Sequence, residues 1–284
     1  MTSPMTTQPI WRGMSRDALD AAYNNSAAVA GSADLVQRWR ERSAVIRARP
    51  DARLDVAYGP APRMRFDYFP CGRAAAPVFV FIHGGYWQRN EKETFAFVAE
   101  GPRPHGIDVV VLGYTLAPDK RLTAIVAEIF EGIGFLAAHA GKLGFDGRRL
   151  FVGGWSAGGH LTAAVAHHPA FRGGMPISGI FDLEPIRLNY LNEKVLLDAD
   201  EVERMSPLRR ISAPTPPLRI GVGGAELPEL VRQSSDYAKA LQERGLPARL
   251  SVLPGLHHFS IMEEIARPDG ALTRELVELI AADP

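Results

Sequence analysis

Five residues, Gly154-Trp155-Ser156-Ala157-Gly158, stand between a strand-like run ending at Val152 and a helix-like run from His160 to Ala166. A serine forced into a tight strand-to-helix turn points its hydroxyl out of the fold. Only glycine-sized neighbours two residues to either side let the backbone close that turn. Gly154 and Gly158 fill those places, which makes Ser156 the candidate nucleophile for attack on a carbonyl. A hydroxyl is a weak nucleophile until a base takes its proton, and where such a turn is used the partners follow it in the order acid, then histidine. Of the eight histidines, His83, His105 and His139 precede Ser156, while His160, His167 and His168 belong to the helix behind it or to its end. His257 and His258 remain, just past a strand-like run and the Pro254-Gly255 turn. Two carboxylates end strand-like runs in the interval, Asp182 and Glu226. Glu226 is preferred because its strand immediately precedes that of the histidines, with Asp182 as the fallback.

A tetrahedral intermediate also needs donors for its oxyanion. The apolar run Pro77 to Ile82 is followed by His83-Gly84-Gly85-Tyr86-Trp87, where paired glycines let backbone N–H groups turn toward the serine. Gly85, Tyr86 and Ala157 are the expected donors, and His83 is expected to hold the loop by hydrogen bonds. Trp87, Trp155 and Phe181 are candidate walls of a substrate pocket, with Trp11 and Tyr23 available to roof it. A phosphate-binding reading of the glycine-rich turn fails for want of a Walker lysine or a Rossmann fingerprint. The histidine pairs 167–168 and 257–258 have diverging neighbours and no carboxylate or thiol cluster at ligand spacing, so neither a metal nor a cofactor is expected.

The elements that must position these residues alternate between strand and helix. A β-hairpin is predicted across Gly59-Pro60, then buried strands at 77–82 and 107–112, and a helix over 122–140 stopped by Gly141. Further strands are predicted at 150–152, 176–181, 218–222 and 250–253, with a helix over 228–244 that starts with Pro228 and stops at Gly245. This rhythm implies one α/β domain over residues 1–284, its mostly parallel central sheet flanked by helices. Ligands then sit beyond the carboxyl ends of the strands. Residues 1–50 read as a helical extension carrying Leu35, Trp39 and Ile46 on one face, and the charged stretch Glu184–Arg210 as a lid-like insertion.

The 32 basic residues balance the 32 acidic ones, so nothing favours nucleic acid or an anionic membrane, and the expected partner is a small molecule. One cysteine, Cys71, excludes an internal disulfide. The amino-terminal sequence lacks a basic start followed by an apolar stretch, and no run is expected to span a bilayer. A cytoplasmic protein of unknown oligomeric state is predicted.

The motif His83-Gly84-Gly85-Tyr86-Trp87 resembles the H-G-G-x-W oxyanion motif of the arylformamidases (kynurenine formamidases) in the α/β-hydrolase superfamily, beside the hormone-sensitive-lipase-like esterases. The likeness extends over most of the chain, through Tyr114–Pro118, Ser178–Leu183, the stretch Glu226–Ser234 and His258-Phe259. It implies Ser156 as nucleophile, Glu226 as acid and His258 as base, with glutamate standing where relatives usually carry aspartate. The expected activity is cleavage of an aryl-formamide or carboxylic ester bond through an acyl-enzyme, most like an arylformamidase, with a general short-acyl carboxylesterase as the rival. A non-catalytic binding protein on the same scaffold would show a broken triad or oxyanion loop, and here every slot has an occupant.

Overall fold

The computed structural model describes residues 8–211 and 214–283, so residues 1–7 of the expected extension lie outside the described residues. Eight strands form one sheet: β1 (Arg53–Ala57), β2 (Arg65–Phe69), β3 (Ala76–Ile82), β4 (Asp108–Leu112), β5 (Phe145–Trp155), β6 (Phe171–Ile177), β7 (Leu218–Gly223) and β8 (Ala248–Leu253). Their order is β1-β2-β4-β3-β5-β6-β7-β8. The first two pairings are antiparallel and the rest parallel. The central strands are runs of Val, Phe and Ile because both sheet faces are covered. Along β3, Val78, Val80 and Ile82 face one core while Phe79 and Phe81 face the other, as a two-residue period requires.

The first core is closed by the helices Leu122–Leu143 and Pro228–Glu243, and the second by the helix Ala271–Ala281, the 3₁₀ segment Lys92–Glu100 and Trp39 of the helix Ser32–Arg47. By length and composition alone Leu122–Leu143 is long and apolar enough to cross a membrane, a test that core helices also pass. Here it lays Ile125, Ile129 and Ile133 on the sheet, and its buried Glu128 accepts hydrogen bonds from the N–H and hydroxyl of Thr115. The helix runs past Gly141 to a stop at Gly144, whose φ of 104° no other residue type adopts cheaply. The strand predicted at 176–181 is displaced to Phe171–Ile177, so Asp182 does not end a strand. The carboxyl-terminal helix Ala271–Ala281 was not anticipated.

Ladder register brings the reactive loops together. Ile82 pairs with Gly154, Trp155 with Ile177, and Gly223 with Leu253. The segments after β3, β5, β6, β7 and β8 therefore emerge side by side along one sheet edge.

The amino-terminal extension forms the helices Arg16–Ala22, Asn25–Ala28 and Ser32–Arg47. The last buries Trp39, Ser43 and Ile46, three to four residues apart on one face. The Ser43 hydroxyl donates to the Thr94 carbonyl and accepts from the Phe97 N–H, and Arg42 bridges Glu100 and Glu263. Residues 184–210 instead pack Ile186, Val195 and Val202 into the first core and tie Glu201 to Arg121 and Thr123.

Candidate active site

Ser156 occupies the turn between β5 and the helix Ala157–Ala164 with φ 59° and ψ −117°, a backbone state strained for a residue with a side chain. Its N–H donates to the Ile177 carbonyl at 2.8 Å and its carbonyl accepts from His160 at 3.1 Å, so the bend is fixed from both sides. A methyl group on Gly154 would overlap the Gly158 carbonyl, and one on Gly158 the Ile82 carbonyl, which is why both positions need glycine.

The loop after β3 turns through three consecutive positive φ values, 119° at Gly85, 50° at Tyr86 and 58° at Trp87. Its carbonyls point back into the protein. That of His83 accepts from the Tyr114 hydroxyl, that of Gly84 from Asn90 Nδ2, and that of Gly85 from the N–H groups of Gln88 and Arg89. The N–H groups of Gly85 and Tyr86 meet no protein acceptor among the described residues, and Ala157 opens its helix, where an N–H lacks an intrahelical partner. The His83 ring lies between Tyr114 and Phe95 at 4.4 and 5.7 Å, and Nδ1 donates to the Gly84 carbonyl. Burial pushes its pKa down to about 4, so it stays neutral and structural.

His258 Nδ1 donates to Glu226 Oε2 at 2.6 Å, which leaves Nε2 as the acceptor nitrogen. The other oxygen, Oε1, accepts from Ser178 Oγ at 2.5 Å and from the Gly223 N–H at 2.8 Å. Trp155 packs its ring 4.7 Å from that of His258 and donates its indole N–H to the His258 carbonyl. His257 is engaged locally, its Nδ1 accepting from the N–H groups of Phe259 and Ser260. Asp182 faces elsewhere, accepting from Arg209 at 3.0 Å and from the Glu184 N–H.

Ser156 and His258 share one cleft of about 300 Å³, also lined by Gly85, Tyr86, Trp155 and Phe259. Of the three aromatic residues expected to wall it, only Trp155 does. Trp87 is fully buried and donates its indole N–H to His160 Nδ1, while Phe181 stacks on Tyr237 at 4.3 Å inside the first core. The opposite wall comes from Asn25, Ser26, Ser32, Ala33, Val36 and Arg40 of the extension. Trp11 and Tyr23 do not line it, and neither does any residue of 184–210, so the segment over this cleft is the extension rather than the insertion. A larger cavity of about 590 Å³, lined by Phe130, Tyr237 and Leu241, holds none of Ser156, Glu226 and His258.

Several residues around the site escaped the sequence reading. Ser178 sits just past β6, beside the turn after β7, so strand adjacency was the signal that would have found it. Tyr86 is held by the extension, its hydroxyl donating to the Tyr23 carbonyl at 2.7 Å and accepting from Asn25 Nδ2 at 2.9 Å. Tyr23 in turn donates to Glu229 and accepts from Gln233. No local pattern forecasts contacts that join residues so distant along the chain.

Residues 79–202 match a family described as alpha/beta hydrolase fold. A kynurenine formamidase from Danio rerio is 30% identical over 95% of this chain and 98% of its own. A carboxylic ester hydrolase from Mycobacterium tuberculosis is 28% identical over 88% of this chain and 76% of its own. Among solved structures, a protein from Silicibacter sp. described as a candidate thioesterase superimposes with a TM-score of 0.82 at 32% identity, covering 93% of this chain and 99% of that one. The chain is a hydrolase of the arylformamidase or esterase kind and belongs to the α/β-hydrolase superfamily, in the family of the kynurenine formamidases.

Proposed function

We propose that the protein is a serine hydrolase in which Ser156 attacks a small acyl group, most like the formyl of an aryl formamide. The observation that carries this reading is the 2.6 Å bond from His258 to a Glu226 carboxylate pinned by Ser178 and Gly223, on the cleft that Ser156 also lines. As the Ser156 oxygen bonds to the carbonyl carbon, its proton passes to His258 Nε2 and the carbonyl oxygen takes the negative charge, facing the N–H groups of Gly85, Tyr86 and Ala157. Collapse breaks the bond to the leaving nitrogen or oxygen, which receives the proton from His258. Water then enters by the same route, releasing the acid and restoring the serine.

Both rivals share one tetrahedral intermediate and differ in the leaving group. The Danio rerio relative supports the formamide and the Mycobacterium tuberculosis relative the ester. Comparing kcat/KM on N-formyl aryl amines with that on short-chain aryl esters separates them, and a formamide rate at background retires the first. Ser156→Ala is expected to lower kcat by roughly 10⁴- to 10⁶-fold with the fold intact. Turnover that survives it, or absence of labelling by a fluorophosphonate, removes Ser156 from the role. A cytoplasmic location belongs to the same proposal, supported by the chain's single cysteine.

A further inference from the structure

A base that takes the Ser156 proton becomes a cation, and His258 must carry that charge while only 3% exposed to water. The charged and titratable groups around it come from several segments. Glu226, past β7, bonds to its Nδ1, and His257, its chain neighbour, serves its own loop. Tyr86 and Arg89 from the loop after β3 and Arg40 from the helix Ser32–Arg47 line the same cleft. Farther back, Glu263 accepts from the Trp39 indole and is paired with Arg42. One carboxylate in contact therefore shares the surroundings of the imidazolium with two like charges.

The other surface against His258 is aromatic. The Trp155 ring lies 4.7 Å away, tilted by 35°, so a face rather than an edge meets the imidazole. The face of an aromatic ring is negative and attracts a cation within about 6 Å, tryptophan most strongly and most of all where water is excluded. Trp155 is 4% exposed, and the rings of Trp39, Phe95 and Phe259 hold it at 5.5, 5.9 and 5.6 Å. Its indole N–H donates to the His258 carbonyl at 2.8 Å. Trp155 is thus joined to the nucleophile by a peptide bond and to the base by a hydrogen bond.

We infer that Trp155 is a positioning residue for the base: its ring face stabilises the imidazolium that His258 becomes, and its N–H fixes the reach of that ring to Ser156. The inference rests on the serine hydrolase reading above and gives the charge generated there a second stabiliser beside Glu226. Without the ring the protonated form of His258 is less favoured, so the histidine titrates at lower pH and is a weaker base.

The test titrates the His258 ring by NMR and follows phenyl acetate hydrolysis over the same pH range, in the unaltered protein, Trp155→Phe and Trp155→Leu. Trp155→Leu is expected to lower the His258 midpoint by about half to one pH unit, and kcat on the plateau by about three- to tenfold. Trp155→Phe keeps a ring face but loses the donor, so the midpoint is largely retained while kcat falls. A residue that only walls the cleft would change KM and leave the midpoint in place. Biosynthetic replacement of tryptophan by its difluoro and trifluoro forms keeps the shape and the N–H while draining the ring face of charge. Of the four tryptophans, Trp155 is the one whose ring meets that of His258, so each added fluorine should lower the midpoint further. A midpoint that trifluorination leaves in place overturns the inference, whether or not Trp155→Leu folds. The titration needs no turnover and is read equally in Ser156→Ala, so its outcome stands apart from that of the serine reading.

Discussion

The Glu226 carboxylate uses both oxygens in different directions, one toward His258 and one toward Ser178 and the Gly223 N–H. A side chain one methylene longer than aspartate has an extra torsion to immobilise, and the Ser178 hydroxyl does much of that. Ser178 itself is bent to φ 49°, a conformation its type rarely adopts. Ser178→Ala is expected to lower kcat about tenfold with little change in KM. The substitution removes a hydrogen bond to a charged group, typically worth about 1.5–3 kcal/mol, and loosens the imidazole rather than the substrate. Steady-state kinetics on any turned-over aryl ester reads this directly, and an unaltered kcat would show that Gly223 alone holds the carboxylate.

At the scale of elements, the extension and the oxyanion loop form one unit. Tyr86 lines the cleft while its phenol is anchored on Tyr23 and Asn25, so the loop's strained backbone is braced by residues some sixty positions earlier. Tyr86→Phe leaves a buried carbonyl and amide without a partner. It is expected to destabilise the fold by roughly 1–3 kcal/mol and to lower kcat more than it raises KM; denaturant melts beside kinetics separate the two effects, and a variant with full kcat would free the loop from this brace. The strand–helix rhythm and the turn at Ser156 were legible because each is local. Chain order left Asp182 and Glu226, and His257 and His258, as alternatives. In the structure the His257 ring accepts from its own loop and the Asp182 carboxylate meets Arg209, contacts that chain order does not encode. The sequence reading takes residues 184–210 as lid-like and offers only Trp11 and Tyr23 of the extension as a roof, whereas the extension residues that line the cleft are Asn25, Ser26, Ser32, Ala33, Val36 and Arg40. A charged, strand-free insertion looks like a cover, but its buried Ile186, Val195 and Val202 show a packed wall.

For the molecule as a whole, two imidazoles set a lower limit of pH. His160 accepts from Trp87 at Nδ1 and donates from Nε2 to the Met205 carbonyl, a pattern only the neutral ring can satisfy. Burial lowers the pKa of His160 and of His83 from 6.5 to about 4. Across that window the unfolded chain binds protons that the folded chain refuses. Stability is thus complete above the upper value and falls as the solution is acidified, by about 3 kcal/mol per ring. Denaturant unfolding followed from pH 7 to pH 4 should show this decline, with a slope shallower by about 1.4 kcal/mol per pH unit in His160→Asn; an identical slope would mean that the ring does not resist protonation. Finally, the cleft is walled on one side by residues between Asn25 and Arg40 and on the other by His258 and Phe259, and Arg42 reaches Glu263 to bind the two together. Translation runs from the amino end, so residues 25–40 are made long before His258. A nascent chain that has not yet reached His258 is therefore expected to be inert, whatever part of the cleft it has already made.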